Sequence, residues 1–136
     1  MIKTSYDLPN SLDYINLRVN SGMGNKKSIE RVNIALKNSL FTISLYDEKK
    51  LIRMGRIIGD GGISYAVTDI MVDKEYQGKG YGKLIMKEID NYFSENTDED
   101  CYIILIANLP ADSLYSKFSF EYLPDSKCGM LRKQKK

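Results

Sequence analysis

The sequence predicts a single domain of mixed α and β structure, residues 1–136, whose mostly antiparallel sheet ends in a parallel pair of strands. A chain of 136 residues is long enough for one compact core and too short for two. Between residues 40 and 72, alternating apolar side chains are interrupted by two turns, which predicts three antiparallel strands. A glycine-rich loop, a helical pattern and a continuous apolar run follow in that order, as is typical of a βαβ unit with parallel strands.

The N-terminal part of the chain is predicted to hold a short strand and two helices. Residues 1–6 have the composition of a strand. Ser11 is predicted to cap a helix over about 11–20, and Ser28 a second helix over about 28–38, because a serine side chain accepts hydrogen bonds from the free amides of the first turn.

The remaining elements follow from changes in the hydrophobic period. The three antiparallel strands are predicted at residues 40–46, 51–58 and 63–72. A strong amphipathic helix is expected over 81–95. The unbroken apolar run 101–107 is typical of a strand buried on both faces. A short helix near 111–118 and a sixth strand near 127–132 are predicted to close the chain.

The charged residues and the absence of histidine limit the classes of function. The net charge is only +2, and because four basic residues lie among the last five, the rest of the chain has a small acidic excess. Such a surface is a poor match for nucleic acid. With no histidine, the chain has no Ser-His-Asp or Cys-His nucleophile and no histidine metal site.

The two cysteines and the N-terminal sequence indicate the compartment. Cys101 and Cys128 lie in a chain without an apolar signal segment, so we expect free thiols in a cytoplasmic protein. They are too far apart in sequence for a zinc site, and we expect no metal. The longest apolar run, 101–107, is far shorter than the ~18 residues that span a bilayer, so we expect no membrane partner.

The glycine-rich loop Gln77–Lys83 is a candidate binding site for a diphosphate. Its glycines fit neither the Walker A pattern nor G-x-G-x-x-G. At the start of a helix, however, Gly78 and Gly80 let the backbone approach a ligand and point several amides the same way. The helix dipole, Lys79 and Lys83 add positive potential. A tight strand-to-helix turn without a ligand is the alternative explanation for the same glycines.

Two segments carry a resemblance to a known family. Residues 67–85 resemble the acetyl-CoA-binding motif of the GNAT superfamily, which has a strand of the type D-I-x-V and then Q/R-x-x-G-x-G/A at a helix start. The corresponding residues here are Asp69–Val72 and Gln77–Gly82. Residues 108–120 resemble the family segment N-x-x-A-x-x-x-Y-x-K-x-G-F, except that Ser119 stands where the family usually has glycine.

The resemblance implies a fold and an activity. It implies the GNAT fold, a mixed, mostly antiparallel sheet of six to seven strands with a splayed parallel pair and about four helices. It further implies an N-acetyltransferase that moves the acetyl group of acetyl-CoA directly to a primary amine in a ternary complex. A small-molecule amine is the expected acceptor. Residues 53–62 also resemble small bacterial members of unassigned substrate, a resemblance that does not identify the amine. A peptide or protein acceptor, a domain that binds acyl-CoA without turnover, and a homodimer stay open.

The resemblance also assigns residues to the acetyl-CoA site. Backbone groups of Ile70, Met71 and Val72 are expected to bind the pantetheine arm and the acetyl oxygen, and Asn108 is expected to contact the same arm. The main-chain amides of the loop are expected to surround the diphosphate. These loop residues are Gln77, Gly78, Lys79, Gly80, Tyr81, Gly82 and Lys83.

Two residues are candidates for the chemistry. Tyr115 is the expected general acid, because a tyrosine with a pKa near ~10 is protonated at neutral pH and has a proton for the leaving thiolate. Asp69 either orients the amine or relays its proton through water, or else it fixes neighbouring backbone by hydrogen bonds. Tyr14, Arg18 and Arg56 are further candidates to line the acceptor pocket, although a structural role explains each of them as well.

Overall fold

The computed structural model describes residues 1–24 and 26–135, which form a five-stranded mixed sheet with four α-helices. The elements are β1 (Ile2–Ser5), α1 (Ser11–Asn20), α2 (Ile29–Lys37), β2 (Phe41–Asp47), β3 (Lys50–Gly59), β4 (Ser64–Val72), α3 (Tyr81–Asn96), β5 (Tyr102–Leu105) and α4 (Asp112–Ser116). A 3₁₀ helix, Lys74–Tyr76, links β4 to α3. The strands lie in chain order, antiparallel except for the parallel pair β4–β5. The predicted mixed fold with one parallel pair is confirmed.

The helices cover both faces of the sheet. On one face, α1 and α2 bury Leu17 and Leu36 against Met54 of β3. On the other, α3 buries its apolar stripe together with α4. Gly55 of β3 allows the close approach of α3, because a Cβ there would lie 2.9 Å from the side chain of Ile85. Burial of each large apolar side chain stabilises such a core by about 1.5–3 kcal/mol.

The helix caps are close to those predicted. Ser28 caps α2, where its hydroxyl accepts a hydrogen bond from the amide of Arg31 at 3.2 Å. The cap of α1 differs from the prediction by one residue, since Asn10 rather than Ser11 accepts from the amide of Leu12 at 2.8 Å. Both side chains accept hydrogen bonds well, and only the backbone conformation decides which of them precedes the first turn.

The C-terminal part of the sheet differs from the prediction. The predicted strand near 127–132 is not formed, and residues 117–135 contain no helix or strand, so the described sheet has five strands instead of six or seven. As a result β5 is an edge strand of the described sheet. The prediction that β5 is buried on both faces is also wrong, because Tyr102 is 52% exposed. An apolar run shows strand character but does not show how many neighbours the strand has.

The described residues contain neither a membrane-spanning helix nor a metal-binding cluster. No helix within 1–24 and 26–135 is both long and apolar enough to cross a membrane. The same residues contain no cluster of three or more histidine, cysteine or carboxylate side chains arranged to hold a metal. Cys101 and Cys128 are both free thiols.

Candidate active site

The parallel strands β4 and β5 separate halfway along β4. They pair from Ser64 with Tyr102 up to Val67 with Leu105, and the described pairing stops there. At this point β4 contains a bulge, because the register with β3 shifts between Met71 and Thr68. Asp69 in the bulge has a φ of 54°, a left-handed conformation that is rare for residues other than glycine. A bulge bends its strand, and the β5-facing backbone groups of residues 68–72 are left without a sheet partner.

The gap between the two strands is a cavity of about 330 Å³. The predicted site residues Asp69, Ile70, Asn108 and Tyr115 all line it, so the fold brings these four together. Met71 does not line it, because its side chain is buried in the core beneath α1 and α2. The prediction for Met71 and Val72 concerns their backbone groups, which pair with β3 but lie beyond the pairing of β4 with β5.

The loop after α1 covers one side of the cavity. Met23 lines the cavity, and its Sδ lies 3.4 Å from the side-chain amide nitrogen of Asn108. Gly22, just before it, has a φ of 78°, which turns the chain back over β4. Residues that follow the first helix therefore form part of the cavity wall.

The glycine loop leads into α3, as predicted. Gly78 and Gly80 have φ values of 77° and 78°, which glycine adopts without strain. Within residues 1–24 and 26–135, nothing lies within 4 Å of a Cβ built on either of them. Gly80 is the N-cap of α3, and no side chain of these residues caps the helix there. The first amides of α3 thus have no capping side chain, and uncapped amides at a helix start can bind an anion.

Side chains on both sides of the 3₁₀ helix fix the position of the loop. The hydroxyl of Tyr76 donates a hydrogen bond to Asp47 Oδ2 at 2.7 Å, and this bond, more than burial, raises the pKa of Tyr76 to about 12. Asp73 is buried, accepts a hydrogen bond from the amide of Glu75 at 2.9 Å and lies 3.3 Å from Lys50 Nζ. The start of the glycine loop is thus tied to the turn between β2 and β3.

Asp69 is the centre of a buried ionic cluster. Its Oδ2 accepts a hydrogen bond from the hydroxyl of Tyr14 at 2.6 Å and lies 3.0 Å from both Nε and Nη2 of Arg56. Arg18 Nη1 lies 3.2 Å from Oδ1. Arg56 Nη1 also donates to the carbonyl of Ala35 at 3.2 Å, which joins α2 to the cluster. Burial, followed by the bond to Asp69, raises the pKa of Tyr14 to about 12.

The three candidates for the acceptor pocket therefore all contact Asp69, and none of them lines the cavity. Tyr14 and Arg18 lie one turn apart on α1 and reach the same carboxylate. Their spacing in the sequence indicates a shared helix face. Nothing in the sequence identifies Asp69 as the partner, because the contact joins residues more than 50 positions apart.

Tyr115 lies on the opposite side of the cavity, in α4. It is only 7% exposed, and burial raises its pKa, while the positive charge of Arg53 acts in the opposite direction. Arg53, on β3, was not identified from the sequence. Its Nη1 lies 3.1 Å from the point where a Cβ on Gly82 would be, beside the first turn of α3. The available signal was a charged residue between the apolar residues Ile52 and Met54 of a predicted strand.

The chain is similar to several known acetyltransferases. A family model described as an acetyltransferase (GNAT) domain matches residues 38–122. A solved structure from methicillin-resistant Staphylococcus aureus, a protein of unknown function described as a probable acetyltransferase, is 46% identical with a TM-score of 0.91, and the match covers 98% of this chain and 100% of that one.

Two curated relatives are longer proteins. The chain is 32% identical over 109 residues to ycf52 of Pyropia yezoensis, an uncharacterized N-acetyltransferase, and the match covers 77% of this chain and 62% of that protein. It is 27% identical over 116 residues to the histone acetyltransferase TAP1 of Glycine max, where the match covers 77% of this chain and 49% of that protein. The chain thus spans about half to three fifths of the length of these relatives.

The family match includes most structural parts of the candidate site, but not α1 or the loop that follows it. Residues 38–122 contain β3, the bulge in β4, the glycine loop and α4. The resemblance carried by the two sequence segments is confirmed by this match and by the near-complete overlap with the Staphylococcus aureus structure. The chain belongs to the GNAT family of acetyltransferases.

Proposed function

We propose that this protein transfers the acetyl group of acetyl-CoA to a primary amine of a small molecule, with both substrates bound at once. The observation that carries the proposal is the cavity between β4 and β5, which contains Tyr115 and opens where the β4 backbone has no partner. The GNAT family generally uses acetyl-CoA. The cavity is narrow and lined mostly by apolar side chains, as suits a flexible pantetheine arm.

The residues around the cavity fit acetyl-CoA. Backbone groups of Ile70, Met71 and Val72, in the part of β4 beyond its pairing with β5, would hydrogen bond to the pantetheine arm and to the acetyl oxygen, and Asn108 would contact the same arm. The amides from Gln77 to Lys83 would bind the diphosphate, for which the space beside Gly78 and Gly80 is open.

The reaction requires one bond to form and one to break. The amine nitrogen attacks the thioester carbonyl carbon, the C–N bond forms, and the C–S bond breaks with its electron pair leaving on sulfur. Tyr115 donates its hydroxyl proton to that sulfur, and the proton lost by the amine restores the tyrosine through water. Because burial raises the pKa of Tyr115, the hydroxyl is protonated at neutral pH and is available as the donor.

For Asp69, the contacts support the role of a positioning residue. Its carboxylate accepts hydrogen bonds from Tyr14, Arg18 and Arg56, which leaves little capacity to accept a proton from an amine. It instead joins α1 and α2 to the bulge in β4, beside the reaction centre. We propose that the amine loses its proton to water held near this carboxylate.

The direct test is release of thiol from acetyl-CoA in the presence of a panel of small amines and lysine-containing peptides. Release with small amines is expected, and binding of acetyl-CoA should be visible by calorimetry. Binding without release for any amine would contradict the transferase proposal and indicate a domain that only binds acyl-CoA.

A protein acceptor is the second candidate, favoured by the similarity to a histone acetyltransferase. Release only with peptides would support it. The position of Met23 over the cavity favours a small acceptor, because an extended peptide would have to displace the loop after α1. A cytoplasmic location and a homodimer stay predictions.

A further inference from the structure

The α3 face of β3 carries a cation whose charge no group of the described residues neutralises. Arg53 is half-buried, with Nη1 at 3.1 Å and Cζ at 3.8 Å from the Cβ position of Gly82. A Leu114 methyl carbon of α4 lies 3.3 Å from the same point, so the guanidinium lies between α3 and α4. Within 1–24 and 26–135, Arg53 forms neither an ion pair nor a side-chain hydrogen bond.

The surroundings of this guanidinium are also positive. The first turn of α3 has no acidic residue, and the N-terminus of a helix has the positive end of its dipole. Lys79 and Lys83 flank the same turn. A half-buried cation in such a place is unfavourable on its own, because burial removes water and the neighbouring potential repels it. Burial lowers the pKa of Arg53 for the same reason.

An anion from outside the chain, bound beside Arg53, would neutralise the positive charge of this side chain. The guanidinium of Arg53 lies beside Gly82 in the first turn of α3, where the absence of a side chain leaves room for it, and the same turn begins with amides that no described side chain caps. A planar guanidinium donates paired hydrogen bonds to phosphate oxygens more readily than an ammonium does. The two sets of donors would then bind one phosphate-containing group from two directions.

We propose that Arg53 is a binding residue for the diphosphate of acetyl-CoA, acting together with the amides of the glycine loop. This inference rests on the proposed function. It adds a residue from the centre of the sheet, 24 positions before the loop begins at Gln77, to a site otherwise formed by backbone.

The test is a pair of matched variants and a pair of ligands. Arg53→Met keeps an unbranched apolar stem and removes the charge, and Arg31→Met removes the same charge from an exposed position on α2. Calorimetry measures the binding of CoA and of S-acetylpantetheine, which lacks the diphosphate. We expect Arg53→Met to weaken CoA binding by about 10- to 100-fold, as for a lost charge-assisted hydrogen bond. Arg53→Met should bind S-acetylpantetheine as tightly as the wild type does. Arg31→Met should bind both ligands as tightly as the wild type does.

Melting without ligand provides a second readout. If the charge of Arg53 only stabilised the fold, Arg53→Met would have a lower melting temperature than the wild type. If the charge is unpaired until a ligand binds, the melting temperature of Arg53→Met should be equal or higher. If Arg53→Met does not fold, Arg53→Lys is used, and CoA binding should weaken several-fold because the lysine lacks the paired donors.

Two results would overturn the inference. One is equal affinity of the wild type and the Arg53 variant for CoA; a reduced kcat at that equal affinity would mean that Arg53 acts on Tyr115 instead. The other is an equal loss of affinity for CoA and S-acetylpantetheine, which would indicate a general disturbance of the cavity. If the wild type itself does not bind CoA, the proposed function fails, and this inference fails with it.

Discussion

β3 carries two arginines three residues apart, and their side chains leave the sheet on opposite faces. Arg56 lies on the α1–α2 face, where every guanidinium nitrogen has a partner: Nε and Nη2 lie 3.0 Å from Asp69 Oδ2, and Nη1 donates to the carbonyl of Ala35. Arg53 lies on the α3–α4 face and has no such partner among the described residues.

The two arginines of β3 therefore have different roles: one is part of an internal ion pair and the other, among the described residues, is not. On the α1–α2 face, the positive charges are paired with a buried carboxylate, so they hold the helices and the bulge in place. On the α3–α4 face, the helix start and Arg53 are left uncompensated, beside the open glycine loop. We therefore expect substitutions on the first face to affect mainly the stability of the fold, and those on the second to affect mainly binding and catalysis.

The largest effect is expected on the α3–α4 face, at Gly80. Gly80→Glu adds a negative charge and a side chain in front of the first amides of α3, and we expect acetyl-CoA affinity to fall by at least about 100-fold. Gly61→Glu is the control, since Gly61 has nearly the same φ, 77° against 78°, and lies in the turn before β4. If calorimetry shows equal acetyl-CoA affinity for the two variants, the loop is not the binding site of the diphosphate.

The next effect concerns Tyr115. We expect Tyr115→Phe to lower kcat by about 10²- to 10⁴-fold, the usual contribution of a general acid, with little change in acetyl-CoA affinity. Tyr102→Phe, at an exposed position on β5, is the matched control. Because the pKa of Tyr115 is raised, the wild type should keep its kcat up to at least the ordinary tyrosine pKa of ~10 and lose it only at higher pH. A normal turnover rate in the phenylalanine variant would exclude Tyr115 from the chemistry.

On the α1–α2 face, Asp69→Asn is expected to act through stability. Two partly buried arginines would lose the counter-charge of a buried carboxylate, which lowers the free energy of unfolding by about 3–5 kcal/mol. Urea unfolding measures this change, with exposed Asp125→Asn as the control. A variant of normal stability with no thiol release would contradict the positioning role and favour Asp69 as a base.

The smallest effect is expected at Ser119, away from both arginines. Its φ is 73°, so it holds a left-handed conformation at the place where the family usually has glycine. We expect Ser119→Gly to raise the free energy of unfolding by about 0.5–1 kcal/mol, because the strain of a side chain in this region exceeds the added freedom of the unfolded chain. Ser113→Gly in α4 should instead lower it. Lower stability of Ser119→Gly would show that its side chain has a stabilising contact.

Much of the fold was predictable from local patterns. The alternation in β2–β4 and the glycines before α3 depend on residues close together in sequence, and the structure places these elements where the patterns predicted them. The environment of β5 was not predictable, because an apolar run has the same appearance in a central and in an edge strand. The strand expected near 127–132 failed for a related reason, since strand propensity depends strongly on an available partner.

The residues of the candidate site also fall into those that local sequence identifies and those that only the tertiary structure identifies. Tyr115, Asn108 and the glycine loop were identified because they belong to short segments with a recognisable spacing, and the chain itself therefore specifies them. The partners of Asp69 are set only when distant segments meet, because the bulge turns Asp69 toward α1. That Arg53 has no ion-pair partner among the described residues also depends on the tertiary structure, because β3 presents successive side chains to opposite faces. The composition supplies the arginines, but packing alone determines which charge is neutralised within the protein and which one is left for a ligand.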